Sequence, residues 1–461
     1  MQINSNSTIA AIATSPGIAG IGIIRISGPE SLNIAQKIFS GKKNLSQSPN
    51  TVIFGKIINQ DNSILDEVLI SPFLAPHSYT GEDVVEISCH GSPFILNEVL
   101  QLVLNNGAHL AQAGEFTMRA YLNKKMDLTQ AEAVIDLIQS ETATQHKFAM
   151  NQMKGGIRDS VSELRAALVD FASLLELELD FSEEDVEFAD RTAFISLINK
   201  IQNKIEELTQ SFALGNAVKY GISTVIAGRP NAGKSTLLNA VLKEDRAIVS
   251  EIPGTTRDTI EEKMNINGIL FRFIDTAGIR ETKNTIEALG VQRSLDKIQT
   301  SSILVYVADI TQLKTEELFQ DLKEFAREDL KIIVLANKMD LYTTFDYEQY
   351  ANEFLSKENI IPCSAKNEMN IEYLKEKLFQ FVVENKTVLD AQVVVNARHR
   401  DALLKASTEL KEVRVGLVSN LETDLVAQSL RRALYELGTI TGNVSSDELL
   451  GNIFGRFCIG K

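Results

Sequence analysis

Gly228, Gly233, Lys234 and Ser235 stand in the order G-x-x-x-x-G-K-S within "STVIAGRPNAGKSTLLNAVL". The apolar run before them reads as a strand and the run after them as a helix. Glycines at such a turn let successive backbone N–H groups point inward at a phosphate chain. Lys234 is placed to reach the β- and γ-phosphates and to serve as a catalytic cation. The Ser235 hydroxyl is placed to ligate Mg²⁺. Asn231, Ala232 and Thr236 complete this part of the nucleotide-binding set.

The choice of base is written downstream. "KIIVLANKMD" reads as a buried strand ending in Asn337, Lys338, Met339 and Asp340. A carboxylate at Asp340 can accept hydrogen bonds from N1–H and the exocyclic amine of guanine. Adenine offers an acceptor where guanine offers N1–H and leaves that carboxylate unpaired. Sites built on such donors discriminate by ~10⁴ or more. Ser364, Ala365 and Lys366 follow at the spacing of a backbone contact to the guanine oxygen.

Two further segments lie between these motifs. "SEIPGTT" supplies Ser250, Glu251, Ile252, Pro253, Gly254, Thr255 and Thr256. Thr256 is the expected switch threonine on Mg²⁺ and the γ-phosphate. "FRFIDTAG" supplies Asp275, Thr276, Ala277 and Gly278. Asp275 supports the Mg²⁺ site, and the Gly278 N–H meets the γ-phosphate. Ile279 follows where Ras-like enzymes place a glutamine that orients the attacking water. Isoleucine cannot do that. On chemistry alone the substitute is open among Arg280, Glu281 and Glu287, each of which also reads as surface charge.

The elements that carry these residues alternate strand and helix from about 221 to 384. They predict an α/β domain. From 1 to 120 the text is different: "TIAAIA", "GIGIIRIS", "TVIFGKII", "EVLISPF" and "VVEIS" are short β-branched runs between Gly, Pro, Asn and Ser. Helical segments near 30–39 and 93–105 interrupt them, giving a small α+β domain. "GIAGIG" at 17–22 mimics a dinucleotide fingerprint, but "IIRISG" follows it rather than a helix, so it carries no weight.

From about 127 the apolar period becomes 3.6. Asp127 is the expected N-cap of a helix with Gln130 three residues on, and Ala131, Val134, Ile135 and Ile138 share a face. Ile157, Val161, Leu164, Leu168, Phe171, Leu175 and Leu179 form one stripe along the next helix. A third helix is expected over 191–214. From 385 to 461 the chain is helical again. The reading is a discontinuous helical bundle of 121–220 and 385–461, with the α/β domain of 221–384 inserted between its halves.

Composition bounds the rest. A chain of 461 residues is too long for one core. Three cysteines and five scattered histidines provide neither a disulfide framework nor a zinc site. No run of 18 apolar residues predicts a membrane helix. The first residues carry no basic and apolar leader pattern. A reduced cytoplasmic protein without membrane association is expected. The net charge of −15 argues against a chain that coats nucleic acid, without excluding a local basic groove. The acidic run "LELELDFSEEDVEFAD" at 175–190 reads as a solvated helix end.

With these motifs the whole chain resembles the MnmE (TrmE) family of tRNA modification GTPases. "SPGIAGIGIIRISG", "YTGEDVVEISCHGSP", "GEFTMRAYLNKKMDLTQAEAVIDLI", "LDFSEED", every nucleotide motif and the final "FCIGK" carry the resemblance. It implies a folate-binding-like first domain, a helical domain and a Ras-like P-loop GTPase domain. It implies a homodimer through the first domains, and GTPase domains that approach each other when GTP is bound. A flavoprotein partner, MnmG, would join in a heterotetrameric or larger complex. Together they would add an aminomethyl or carboxymethylaminomethyl group to carbon 5 of the wobble uridine of certain tRNAs. A tetrahydrofolate derivative, 5-formyl- or methylene-tetrahydrofolate, would donate the one-carbon unit.

The resemblance also assigns residues. Asn231, Ser250, Ile252 and Thr255 would ligate an activating potassium ion; the family often has Thr where Ser250 stands. Glu287 would orient the attacking water. Arg25, Glu86, Lys125 and Lys461 would line the folate pocket, with the final Cys-Ile-Gly-Lys ordered against the first domain. A nucleophilic role for Cys458 stays open. Two rivals are a ribosome-assembly GTPase, which would call for an appended basic RNA module, and a scaffold that only times the partner.

Overall fold

The computed structural model describes residues 7–180, 191–243, 261–275, 301–327, 330–341, 346, 350–351, 355–382, 394–419 and 421–461. The chain divides into two compact units. One comprises Met1–Ile138, Asn151–Ile201 and Ala402–Lys461; the other comprises Gln139–Met150 and Gln202–Asp401.

The first unit contains seven strands: β1 (Ile9–Ile12), β2 (Ala19–Ser27), β3 (Phe39–Gly41), β4 (Ile53–Ile58), β5 (Ile64–Phe73), β6 (Val84–Gly91) and β7 (His109–Leu110). They form one sheet in the order β3-β4-β5-β6-β2-β1-β7. Only the β1–β7 pair is parallel. Period-two alternation explains its two faces. Ile24, Ile26, Val85 and Ile87 point to one side, where helices Ser31–Ile38 and Pro93–Asn105 bring Ile34, Ala35, Leu96, Val99 and Val103. On β1, Ile9 and Ala11 join Ala111, Phe116 and Tyr79 in a separate cluster.

The helices of this unit follow their caps and stripes. The Asp127 carboxylate accepts from the Gln130 N–H at 2.9 Å, and the Gln130 side chain accepts from the Asp127 N–H at 3.0 Å. This reciprocal capping opens helix Leu128–Ile138. Ala131 is buried, and Val134 and Ile135 pack on its cluster; Ile138, on the same face, is exposed at the helix end. Along helix Gly156–Asp180, Ile157, Val161, Leu164, Leu168, Phe171 and Leu175 are buried as the stripe predicts, and the side chain of Leu179, the last of the stripe, lies outside what is described. Helix Thr423–Thr441 packs along it. Helix Asp447–Phe454 sets Ile453 and Phe454 against Met118 and Leu128. Residues 181–190 of the acidic run lie outside the described residues.

The expected helix over 191–214 is two helices, Arg191–Gln210 and Phe212–Tyr220. Ser211 breaks it. Its hydroxyl donates back to the Leu208 carbonyl at 2.6 Å and accepts from the Val394 N–H at 3.0 Å. Such local side-chain bonds compete with helix continuation.

The second unit holds a sheet of six strands: β8 (Ile222–Ala227), β9 (Glu261–Ile266), β10 (Ile269–Asp275), β11 (Ile303–Asp309), β12 (Lys331–Asn337) and β13 (Ile360–Pro362). The order is β13-β12-β11-β8-β10-β9, parallel except for β9. β11 is buried along its whole length, which is why its sequence is a continuous apolar run. One core joins Leu237 and Val241 of helix Lys234–Leu242 to Phe271, Ile333 and Leu335; another joins Leu318 and Leu322 of helix Thr315–Lys323 to Tyr306 and Val334. The sheet is therefore covered on both faces, an arrangement that gathers ligand loops at the C-terminal ends of the parallel strands.

The β9–β10 hairpin turns at Asn267 and Gly268, both with positive φ (51° and 89°). Its turn rests on helix Ala143–Met153: a Cβ at Gly268 would lie 2.4 Å from the Thr144 hydroxyl oxygen. Lys263 pairs with Glu141 at 2.6 Å, and the Gln145 amide donates to the Val218 and Lys219 carbonyls at 3.1 Å. No helix among the described residues is long and apolar enough to cross a membrane.

Candidate functional site: a phosphate loop joined to a base loop

The loop after β8 is wound tightly. Gly228 has φ +148° and Gly233 has φ +103°. A Cβ at Gly228 would meet the Val307 carbonyl oxygen at 2.3 Å, and one at Gly233 would meet the Asn337 amide nitrogen at 2.4 Å. Both positions therefore require glycine. Asn231 also lies in the left-handed region, at φ +61°, with its side chain outward. Gly233 caps helix Lys234–Leu242, so Ser235 and Thr236 stand exposed in the helix's first turn. The Lys234 ammonium donates to the Gly228 and Arg229 carbonyls, each at 3.0 Å.

Asn337 links this loop to the loop after β13. Its amide donates to the Ala232 carbonyl at 2.7 Å, and its side-chain oxygen accepts from the Ala365 N–H at 2.9 Å and from the Cys363 thiol at 3.5 Å. The Ser364 hydroxyl donates to the Asp340 carboxylate at 2.7 Å. Lys366 is exposed beside them. The structure thus brings Asn231 to Thr236, Asn337, Lys338, Asp340 and Ser364 to Lys366 to one end of the sheet. Asp275 ends β10 at that same end. Ser250, Glu251, Ile252, Pro253, Gly254, Thr255, Thr256, Thr276, Ala277, Gly278, Ile279, Arg280, Glu281 and Glu287 lie outside the described residues.

Two participants escaped the sequence reading. The Lys338 ammonium donates to the Asp309 carboxylate at 2.6 Å. Burial opposes the charge on Asp309, but Lys338 and the hydroxyl and N–H of Thr311 outweigh it and hold the carboxyl below its ordinary range. A lone acid closing the apolar strand "ILVYVAD" was the available signal. The other is Cys363, whose thiol burial pushes up to about 12, so it serves Asn337 as a neutral donor.

A second cluster forms on the seven-stranded sheet. Arg25 and Glu86 are directly opposed on β2 and β6, and the guanidinium meets the carboxylate at 2.8 and 2.9 Å. The Tyr79 and Phe116 rings lie 5.2 and 5.6 Å from the guanidinium carbon. Burial raises the Tyr79 phenol, which bonds the Thr117 hydroxyl at 2.8 Å. Arg25 also donates to the Gly460 carbonyl at 3.4 Å. The segment 458–461 is laid down here: Ile459 bridges Ala113, the Gly114 N–H points to the Cys458 carbonyl, and a Cβ at Gly460 would meet the Ile12 carbonyl oxygen at 2.3 Å. Cys458 is exposed and Lys461 is half-buried. Lys125 donates to the Pro76 carbonyl at 2.9 Å, three residues before Tyr79.

A mostly parallel sheet that carries a G-x-x-x-x-G-K-S loop, N-K-M-D and S-A-K at the C-terminal ends of β8, β12 and β13 defines a P-loop GTPase domain, here set within a longer chain. Residues 8–125 match the family described as "GTP-binding protein TrmE N-terminus", and residues 128–458 match "MnmE helical domain". The tRNA modification GTPase MnmE of Cytophaga hutchinsonii is 48% identical over 458 residues, 99% of this chain and 98% of that one. Its counterpart in Flavobacterium johnsoniae is 47% identical over the full length of both. The chain belongs to the MnmE family of tRNA modification GTPases.

Proposed function

We propose that this chain is a potassium-activated GTPase that, with the flavoprotein MnmG, installs an aminomethyl or carboxymethylaminomethyl group at carbon 5 of the wobble uridine of certain tRNAs. The observation that carries the reading is Asn337: one side chain fastens the phosphate loop to the base loop, through Ala232 and Ala365. A nucleotide that fits both ends meets a preorganised site.

The residues divide the work. Asp340, oriented by Ser364, selects guanine; Ala365 and Lys366 flank the base. The loop N–H groups and Lys234 receive the phosphates. Ser235, exposed in the helix's first turn, suits Mg²⁺, with Thr256 and Asp275 in support. Asn231 presents an outward carboxamide, an oxygen donor suited to a hard monovalent cation; Ser250, Ile252 and Thr255 would complete its shell. Potassium, when bound, supplies positive charge beside the phosphates. Glu287 would orient the attacking water. Thr276, Ala277 and Gly278 would face the γ-phosphate.

The Arg25–Glu86 cluster suits a tetrahydrofolate derivative. It sets a guanidinium and a carboxylate beside two aromatic rings, donors and acceptors that a pterin and its glutamate tail can use. The folate, when bound, supplies the one-carbon unit. Arg25, Glu86, Lys125 and Lys461 are the proposed contacts. Cys458, exposed beside them, is the open choice for a nucleophile. We place the protein in the cytoplasm as a homodimer whose domains are 1–120, 121–220 with 385–461, and 221–384. The test is reconstitution with MnmG and unmodified tRNA. GTP, but not ATP, should be hydrolysed, and mass spectrometry should find the modified wobble uridine. Equal turnover of ATP, or hydrolysis with unmodified uridine under all folate supplies, overturns the reading.

A further inference from the structure

Arg229 is the second residue of the phosphate loop, and its side chain is committed elsewhere. Its Nε and Nη2 donate to the two oxygens of Asp321 at 2.9 and 3.2 Å, and its Nη1 donates to Glu317 at 2.7 Å. Both acids lie on helix Thr315–Lys323, one turn apart. Asp321 also accepts a short bond from the Tyr306 hydroxyl. Tyr306 is 2% exposed, in the middle of β11. In the ladder it stands opposite Ala227, the residue immediately before the loop. A closed path results: Ala227, Gly228, the Arg229 side chain, Asp321, Tyr306 and back across the sheet to Ala227.

That path matters because of what the Arg229 main chain does. Its carbonyl accepts from the Lys234 ammonium at 3.0 Å and from the Ala232 N–H at 3.3 Å. The residue whose side chain is clamped is therefore the residue whose carbonyl aims the loop lysine. We propose that Arg229 is a positioning residue: its clamp on Asp321 and Glu317 fixes the first turn of the phosphate loop, and through it Lys234, in the arrangement that receives a nucleotide's phosphates. The inference rests on the GTP-binding reading above and deepens it.

An isolated exposed ion pair contributes little. This one is bidentate, charge-assisted and shares its acceptor with a buried phenol, which fixes its geometry. Preorganisation of this kind lowers the ordering cost of binding. It acts on GDP and GTP alike, so the affinity for both nucleotides reports it; because Lys234 also serves the transition state, kcat falls no more than affinity does. A guanidinium that left the acids to touch the reacting phosphate would do the reverse.

The experiment compares Arg229→Ala, Arg229→Lys, Asp321→Asn and the double variant Arg229→Ala/Asp321→Asn in the full chain. Fluorescent GDP titration gives affinity, steady-state kinetics give KM and kcat, and a thermal melt monitors folding. Arg229→Ala should weaken GDP and GTP binding about tenfold, with any fall in kcat smaller than that. Arg229→Lys, which keeps a cation and lacks the fork, should recover part of the affinity. The double variant should be no weaker than Arg229→Ala, because the two changes cut one path. Parent-like affinity in Arg229→Ala overturns the proposal. So does a fall in kcat at unchanged affinity, or full additivity in the double variant. Lys234→Ala separates the levels: parent-like nucleotide binding there overturns the phosphate-loop reading itself.

Discussion

Ser364 holds Asp340 by a 2.7 Å hydrogen bond from its hydroxyl to the carboxylate. The bond engages Oδ1 of an exposed acid. Ser364→Ala frees that carboxylate to rotate, so guanine must order it on binding. GTP affinity should fall roughly tenfold, and the preference for GTP over inosine triphosphate should narrow. Competition titrations check this; an unchanged preference would show that Asp340 needs no orienting partner.

Asn231 sits outward in a left-handed turn. GTP hydrolysis should be fast in KCl and slow in NaCl, and Asn231→Ala should abolish the difference. Equal rates in the two salts would remove the cation from the mechanism.

Glu287→Ala should slow hydrolysis about 10²-fold while GTP affinity stays near the parent value, the pattern of a group used in the transition state. Glu281→Ala should behave as the parent does. The opposite result from this pair would move the water-orienting role to Glu281.

Removal of residues 458–461 should leave GTP hydrolysis near the parent rate and abolish wobble-uridine modification. Cys458→Ser and Lys461→Ala divide the cause between thiol and ammonium. Gly460→Ala should mimic the truncation in part, since its Cβ would strike the Ile12 carbonyl and its φ is +101°. Intact modification after truncation would make the segment a passive cover.

Burial pushes the Cys89 thiol up to about 11 and the Cys363 thiol up to about 12. A raised thiol pKa means less thiolate at a given pH, and both groups are also shielded. At pH 8 iodoacetamide should label the native protein at Cys458, and Cys458→Ser should abolish labelling. Modification of Cys363 in the folded chain would show that the base loop opens.

The phosphate and base motifs were legible because each is a short run at fixed spacing, and the sheet that carries them announces itself in runs such as "ILVYVAD". The stripe from Ile157 to Leu175 was legible because one helix repeats one period. Ile138 keeps the face that the period gives it but is exposed, because period alone does not say where a helix leaves its neighbours. Ser211 was missed because its hydroxyl's bonds, back to the Leu208 carbonyl and from the distant Val394 N–H, leave no mark on the apolar period. Asp309, Tyr79 and Phe116 went unnoticed because their partners Lys338 and Arg25 are distant in sequence. Arg25 and Glu86 came only through the family resemblance, and their pairing required the register of β2 against β6.

The β9–β10 hairpin has a consequence for chimaeras. Its turn is fitted to Thr144, its Lys263 to Glu141, and Gln145 reaches the Val218 and Lys219 carbonyls. Residues 139–150, remote in sequence, are thus the socket of the GTPase sheet. A graft that exchanged 221–384 for the same stretch of a distant relative would carry the plug and leave the socket behind. Any such transplant must bring Gly268 or an equivalent bare turn, and is best cut so that 139–150 travels with it.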